Sequence, residues 1–181
     1  EWTSLVESKS GERGIFNRVS AQKQAAKNGR RNPDYEFGTN PCSEIILRPH
    51  QFCNLTEVVV KEHDTDDDLD RKVRLATILG TAQSTLTNFP YLRKIWKNNT
   101  QEERLLGVSL TGIMDNIHTN CFLVNMRERL TRMKQIAIDT NKKYAKRFGI
   151  EESTAITCVK PSGTVSQLCD SASGIHARHS R

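Results

Sequence analysis

Apolar residues recur at spacings of three and four along two long stretches of this chain. Leu69, Val73, Ala76, Leu79, Ala82 and Leu86 form one series, the period of an amphipathic helix. Asp66-Asp67-Asp68 opens it, and acidic residues in a first turn suit the helix dipole. Met126, Leu130, Met133, Ala137, Tyr144 and Phe148 form the other, closed by Gly149. Between them, Leu105, Leu106, Ser109 and Ile113 fall near one face and predict a further helix over residues 102–117. An Ala/Gln/Lys-rich helix is expected over residues 20–27, stopped by Asn28-Gly29. Leu55 to Lys61 is β-branched and is the clearest strand. Ala155 to Val159 predicts a short buried strand, and Glu44 to Leu47 is a third candidate. Asn32-Pro33-Asp34 and Gly38-Thr39-Asn40-Pro41 carry loop signals, as does a Gly-containing turn around Ser10-Gly11-Glu12. The order strand, helices, strand predicts an α/β fold with parallel strands.

Composition narrows the function classes. The chain has 181 residues, 36% hydrophobic and 27% charged, with a net charge of +6. That sign favours anionic partners such as nucleotides. Aromatic residues are only 6%, which argues against a stacking platform for single-stranded nucleic acid. The five cysteines are an odd number without a secretory signal, so a reducing, cytoplasmic setting is expected rather than a disulfide scaffold. No apolar run approaches the roughly 20 residues that span a bilayer. The chain begins at Glu1-Trp2 and stops at Arg181. It is read as a piece of one larger domain covering residues 1–181.

Chemistry concentrates in three segments. In Asn40-Pro41-Cys42-Ser43-Glu44 a thiol stands between an amide and a carboxylate. In an extended segment residues two apart share a face, so Asn40, Cys42 and Glu44 are expected to converge on one small substrate. Cys53 follows eleven residues later, before the clearest strand, and a second thiol suits two-electron redox chemistry. Lys160-Pro161-Ser162-Gly163-Thr164-Val165-Ser166 runs from a strand into a turn and then a helix. Such a turn offers amides and hydroxyls to phosphate, without the spacing of a Walker loop. An ordinary helix cap is the plain alternative. Cys121 and Cys158 read as core residues. The acidic run from Asp64 to Asp70 reads as a solvated helix start, lacking the Gly and Glu of a calcium loop. His176 and His179 lack further ligands at zinc spacing, and no metal site is predicted.

These segments, together with Glu103-Arg104-Leu105-Leu106-Gly107-Val108-Ser109 and Ser173-Gly174-Ile175-His176, resemble the catalytic large chain of ribonucleotide reductases. The resemblance runs over nearly the whole chain. The short Cys42–Cys53 spacing and the Pro161-Ser162-Gly163-Thr164 turn look most like the adenosylcobalamin-dependent, ribonucleoside-triphosphate type. It implies a fragment of a ten-stranded α/β barrel with Cys42 on a central finger loop. By the same resemblance Cys42 becomes a thiyl radical and takes the 3′ hydrogen of the ribose. Glu44 acts as base on the 3′ hydroxyl, and Asn40 orients the ribose site. Cys53 is half of the reducing dithiol, whose other half lies upstream in the family. Leu55 lies near the ribose, and Pro161, Ser162, Gly163, Thr164 and Val165 hold the phosphates. The implied cofactor is adenosylcobalamin, bound largely outside this piece. The implied partners are a ribonucleoside triphosphate or diphosphate and a thioredoxin-type reductant, with no membrane and no nucleic acid. The isolated piece is expected to be inactive.

Three alternatives stay open. One is the related large chain that depends on an iron subunit and uses diphosphates. Another is a nucleic-acid-binding module built on Lys23, Lys27 and Asn28-Gly29-Arg30-Arg31. A third is a hydrolase with Cys42 as nucleophile, for which no histidine offers a family-style partner.

Overall fold

Two parallel strands carry the centre of the molecule. The computed structural model describes residues 1–10, 14–116 and 122–178. In chain order its elements are α1 (Trp2–Ser8), α2 (Arg18–Ala26), β1 (Gly38–Thr39), β2 (Ile46–Leu47), β3 (Asn54–Val59), α3 (Asp66–Gln83), α4 (Lys94–Glu103), β4 (Leu106–Thr111), a 3-10 turn (Ile113–Asp115), α5 (Phe122–Phe148) and α6 (Thr164–Leu168). Strands β3 and β4 pair in parallel from Asn54↔Leu106 to Val59↔Thr111. Residues 155–158 run along the other edge of β4, bridged at Val108↔Thr157. There the Leu106 and Val108 N–H groups donate to the Ala155 and Ile156 carbonyls, each at 2.9 Å. The expected strand at Ala155 to Val159 is therefore present as a short parallel bridge, but it is not the buried strand expected, since only Ile156 is buried while Thr157 and Val159 are exposed; β4 lies between two neighbours.

That position explains why β4 is buried almost throughout, since parallel strands with neighbours on both sides are covered on both faces. It also overturns the helix expected over residues 102–117. Leu-Leu-Gly-Val-Ser-Leu has an apolar density that a buried strand and a helix share. Arg104 takes a left-handed conformation (φ 43°) and closes α4. Beyond it the chain gains a hydrogen-bonded partner on each side.

Helix α3 begins where its acidic run begins. Thr65 and Asp68 form a reciprocal capping box, satisfying two N–H groups that would otherwise be orphaned. Asp66 pairs with Arg129 at 3.3 Å, and Asp70 with Arg132 at 3.3 Å, so the acidic run also clamps α3 to α5. Leu69, Val73 and Ala76 of α3 meet Met133 and Ala137 of α5, with Val58, Leu106, Val108 and Ile156 from the strands. Not all of the predicted stripe is inward. Leu79 is exposed, as is Leu86, which lies past the helix end, while Thr77, Gly80 and Thr81 are buried. Helix α2 covers the expected segment, capped by Asn17, whose side chain accepts the Ser20 N–H at 2.9 Å. Its Ala21 and Ala25 pack with Phe37 in a second, smaller core. The third candidate strand shrinks to Ile46–Leu47, paired antiparallel with Gly38–Thr39. The turn expected around Gly11 and Glu12 lies outside the described residues, as do Cys121 and His179.

Candidate active site

The β1–β2 pair presents residues 40–45 as a tight loop. Pro41 and Cys42 are the central residues of a turn closed by the Ser43 N–H donating to the Asn40 carbonyl at 3.0 Å. Proline pre-sets the backbone for its position in such a turn. Ser43 then reverses the chain with a positive φ of 64°. The Asn40 side-chain oxygen accepts the Ile45 N–H at 3.1 Å, which staples the loop. The extended geometry expected for Asn40, Cys42 and Glu44 is thus replaced by a turn. Cys42 stands exposed at the tip, and Glu44 folds inward with its side chain only 3% exposed.

Glu44 meets Lys160 at the bottom of this loop. Its Oε1 lies 2.9 Å from Lys160 Nζ, and the same ammonium lies 3.9 Å from Cys42 Sγ. Neither Glu44 oxygen completes a well-aligned hydrogen bond. Burial pushes the Glu44 pKa up, but the Lys160 ammonium, the Asn40 amide and its own backbone N–H outweigh it. The carboxyl therefore sits below its ordinary value. A cavity of about 630 Å³ opens beside it, lined by Cys42, Glu44, Ser109, Lys134, Cys158 and Val159 among others. That volume is in the range of small-molecule sites.

Cys53 sits at the foot of β3. It and Cys158 come together over β4 because Gly107 has no side chain. A Cβ placed on Gly107 would lie 3.1 Å from Cys158 Sγ and 3.4 Å from Cys53 Sγ, and would collide with Leu55. Burial, then the neighbouring Cys158, pushes the Cys53 thiol up to about 12. Burial, then Glu44, pushes Cys158 up to about 12. Cys158 is therefore not the core residue expected; it is half-buried and lines the cavity beside Glu44. Strand alternation places a side chain on one of two faces without saying which face looks into a cavity.

Lys160 to Gly163 form a loop leading into α6, whose first turn begins with Thr164 and Val165. Gly163, Thr164 and Val165 are exposed, while Ser162 is buried. Ser162 Oγ accepts the Ser166 N–H at 3.1 Å, so its hydroxyl caps the helix. The Ser173-Gly174 segment braces the loop from behind. Ser173 Oγ donates to the Ser162 carbonyl, and the Gly174 N–H donates to Thr111 Oγ1 at 2.8 Å. A Cβ on Gly174 would stand 2.9 Å from the Lys160 carbonyl. Arg178 holds the following turn through Asp115 at 2.8 Å.

The structure removes Arg31 from the basic patch and leaves Lys23 and Lys27 exposed. Arg31 is buried, its Nε and Nη2 each donating to Glu103 at 2.8 Å. It also donates to the Ile46 carbonyl and to Gln51. A guanidinium spent on a buried carboxylate is not available to a phosphate backbone.

No family model matches the chain. Its sequence is 29% identical to an adenosylcobalamin-dependent ribonucleoside-triphosphate reductase of Euglena gracilis, over 92% of this chain and 22% of that protein. The reductase of the same name from Lacticaseibacillus paracasei is 26% identical over 96% of this chain and 26% of its own length. A crystal structure of a B12-dependent (class II) ribonucleotide reductase superposes with a TM-score of 0.60 at 26% identity, over 78% of this chain and 23% of that one. The chain is similar to the B12-dependent ribonucleotide reductases. It spans about a quarter or less of the length of these reductases. Its parallel strands and covering helices correspond to part of a reductase's α/β barrel. Sequence reasoning picked out Cys42, Glu44 and Cys53 but missed Lys160 and Cys158 as neighbours of Glu44. Their signal was weak, since each sits in a motif for another reason.

Proposed function

We propose that this chain forms part of the catalytic barrel of a ribonucleotide reductase that converts a ribonucleoside triphosphate to its 2′-deoxy form. One observation carries the reading. The Cys42 thiol and the buried Glu44 carboxylate lie within 3.9 Å and 2.9 Å of a single ammonium, Lys160, which opens the proposed phosphate loop. A hydrogen-abstracting sulfur and a base thus border one nucleotide-sized cavity, and the ammonium that joins them leads directly into the proposed phosphate-binding turn.

In this reading Cys42, as a thiyl radical, takes the ribose 3′ hydrogen. Glu44 accepts the 3′ hydroxyl proton while the 2′ hydroxyl, protonated by the dithiol to which Cys53 belongs, leaves as water. Asn40 orients the loop, and Leu55 borders the ribose. The Pro161-to-Val165 turn cradles the phosphates through the N–H groups of Ser162, Gly163, Thr164 and Val165, while Pro161, which has no N–H, shapes the turn. Cys53 remains an S–H group at neutral pH, because its thiol is pushed up to about 12. That is the form that donates a hydrogen atom. Overall, ribonucleotide plus a dithiol yields deoxyribonucleotide, a disulfide and water, so a thioredoxin-type dithiol must restore the thiols. A reducing compartment, the cytoplasm, suits this chemistry.

Adenosylcobalamin, named for the relatives, supplies a radical initiator when bound. In this reading the nucleotide takes up the cavity of about 630 Å³ beside Cys42, which leaves adenosylcobalamin to residues elsewhere. In our reading the rest of the protein holds it. Substitution of Cys42→Ser in the full-length holoprotein tests the reading. Reduction is expected to vanish while nucleotide binding persists. Retained reduction would end this mechanism, and activity without added adenosylcobalamin would end the choice of cofactor.

A further inference from the structure

Lys160 opens the loop that precedes α6, and the chemistry proposed above gives it no task. We propose that Lys160 is a positioning residue of this site, its ammonium group fixing the Glu44 carboxylate and the Cys42 thiol toward one point of the cavity. What the site does rests on the reductase reading; how these three groups are held does not.

The geometry is direct. Lys160 Nζ lies 2.9 Å from Glu44 Oε1 and 3.9 Å from Cys42 Sγ. An ammonium carries three donors and no acceptor, so it can hold a carboxylate while leaning on a sulfur. Lys160 is itself only 26% exposed and Glu44 3%, so solvent screens the pair weakly. A buried carboxylate without a countercharge takes up a proton, and a protonated Glu44 cannot act as a base.

The ionisable groups around Glu44 come from several elements. Cys42 stands on its own loop, Cys53 at the foot of β3, and Cys158 beyond β4. Lys134 of α5 lines the same cavity, while Arg30 and Arg31 line the adjoining one. Among the described residues, Lys160 alone is within ion-pair distance of Glu44. The two partners agree in direction: the Glu44 pKa is lowered with Lys160 leading the opposition to burial, and the Lys160 pKa is raised chiefly by Glu44. Lys160 also immediately precedes Pro161. One residue therefore sets the distance from the proposed phosphate loop to the base.

A carbon-13 NMR titration of Glu44 in the full chain, assigned by difference from Glu44→Gln, tests the inference. Wild-type Glu44 is expected to titrate below the ordinary value of 4.5. Lys160→Met is expected to move the midpoint above that value, by about 1–3 pH units overall, and Lys160→Arg to leave it low. An unmoved midpoint in folded Lys160→Met overturns the inference. Should Lys160→Met not fold, a nitrogen-15 titration of Lys160 reads the pair from the other side. Its pKa is expected to fall in Glu44→Gln, and no fall overturns the inference equally. In the holoprotein, given a ribonucleoside triphosphate, adenosylcobalamin and a dithiol, Lys160→Met is expected to shift the acid limb of kcat/KM to higher pH. Lys160→Arg is expected to restore it, and an acid limb that stays in place overturns the role. A wild-type holoprotein that binds nucleotide but reduces none defeats the reductase reading instead, and the Glu44 titration still decides the case of Lys160.

Discussion

Cys53 and Cys158 both approach the bare backbone of Gly107, and burial governs what their sulfurs can do. Each thiol is pushed from the ordinary 9.0 up to about 12. A thiolate is the nucleophile in disulfide exchange, so neither sulfur is poised for it at neutral pH. The raised values also link to stability. The protonated form is favoured in the folded state, so this contribution is fully present below about 9 and is lost as pH rises through about 12. We therefore expect alkylation of Cys53 and Cys158 by iodoacetamide to stay slow at pH 8–9, with the fold weakening steadily above it. Cys53→Ala should flatten that alkaline loss. Fast alkylation of Cys53 at pH 8 in the folded chain would contradict the burial argument. Cys53 was visible in the sequence through its spacing from Cys42. Cys158 was not, because its apolar neighbours on either side are those of a core strand.

Strand β4 shows where reading elements from sequence reaches its limit. Leu105, Leu106, Ser109 and Ile113 fit a helical period, yet residues 106–111 pair with β3 and bridge to Thr157. The choice was made by partners distant in the chain, since a short apolar run is compatible with either period. The capping box at Thr65 and Asp68 is the opposite case, a local signal that places a helix start where the sequence put it. Within β4, Gly107 has the sharpest requirement. Gly107→Ala would drive a Cβ into Leu55 and crowd both sulfurs. Overpacking of this kind costs about 1–3 kcal/mol. Thermal denaturation should show a lower midpoint, together with altered alkylation of Cys53. An unchanged melt would mean that Leu55 moves aside without cost.

At the scale of the whole molecule, one buried ion pair ties the β1–β2 region to the parallel strands. Arg31 joins Glu103 at the end of α4 to the Ile46 carbonyl after the Cys42 loop. Gln51 completes the group by donating to Glu103. Removing one member of a buried pair leaves the other charge uncompensated, at a cost of about 3–5 kcal/mol. Glu103→Gln should lower the denaturation midpoint by a corresponding amount in a urea titration. A loss of a few tenths would show that the two regions are held by packing instead. Here the sequence by itself determined the helices with strong caps and periods and the strand at β3, and it singled out Cys42, Glu44 and Cys53 as the candidates for chemistry. These depend on near neighbours and on residue types whose reactivity is intrinsic. Only the tertiary structure decided that residues 106–111 are a strand and that Arg31 is spent on Glu103. It also decided that Lys160 and Cys158 border Glu44. Those outcomes depend on which distant segments meet, and burial at such meetings sets the protonation and reach of each group.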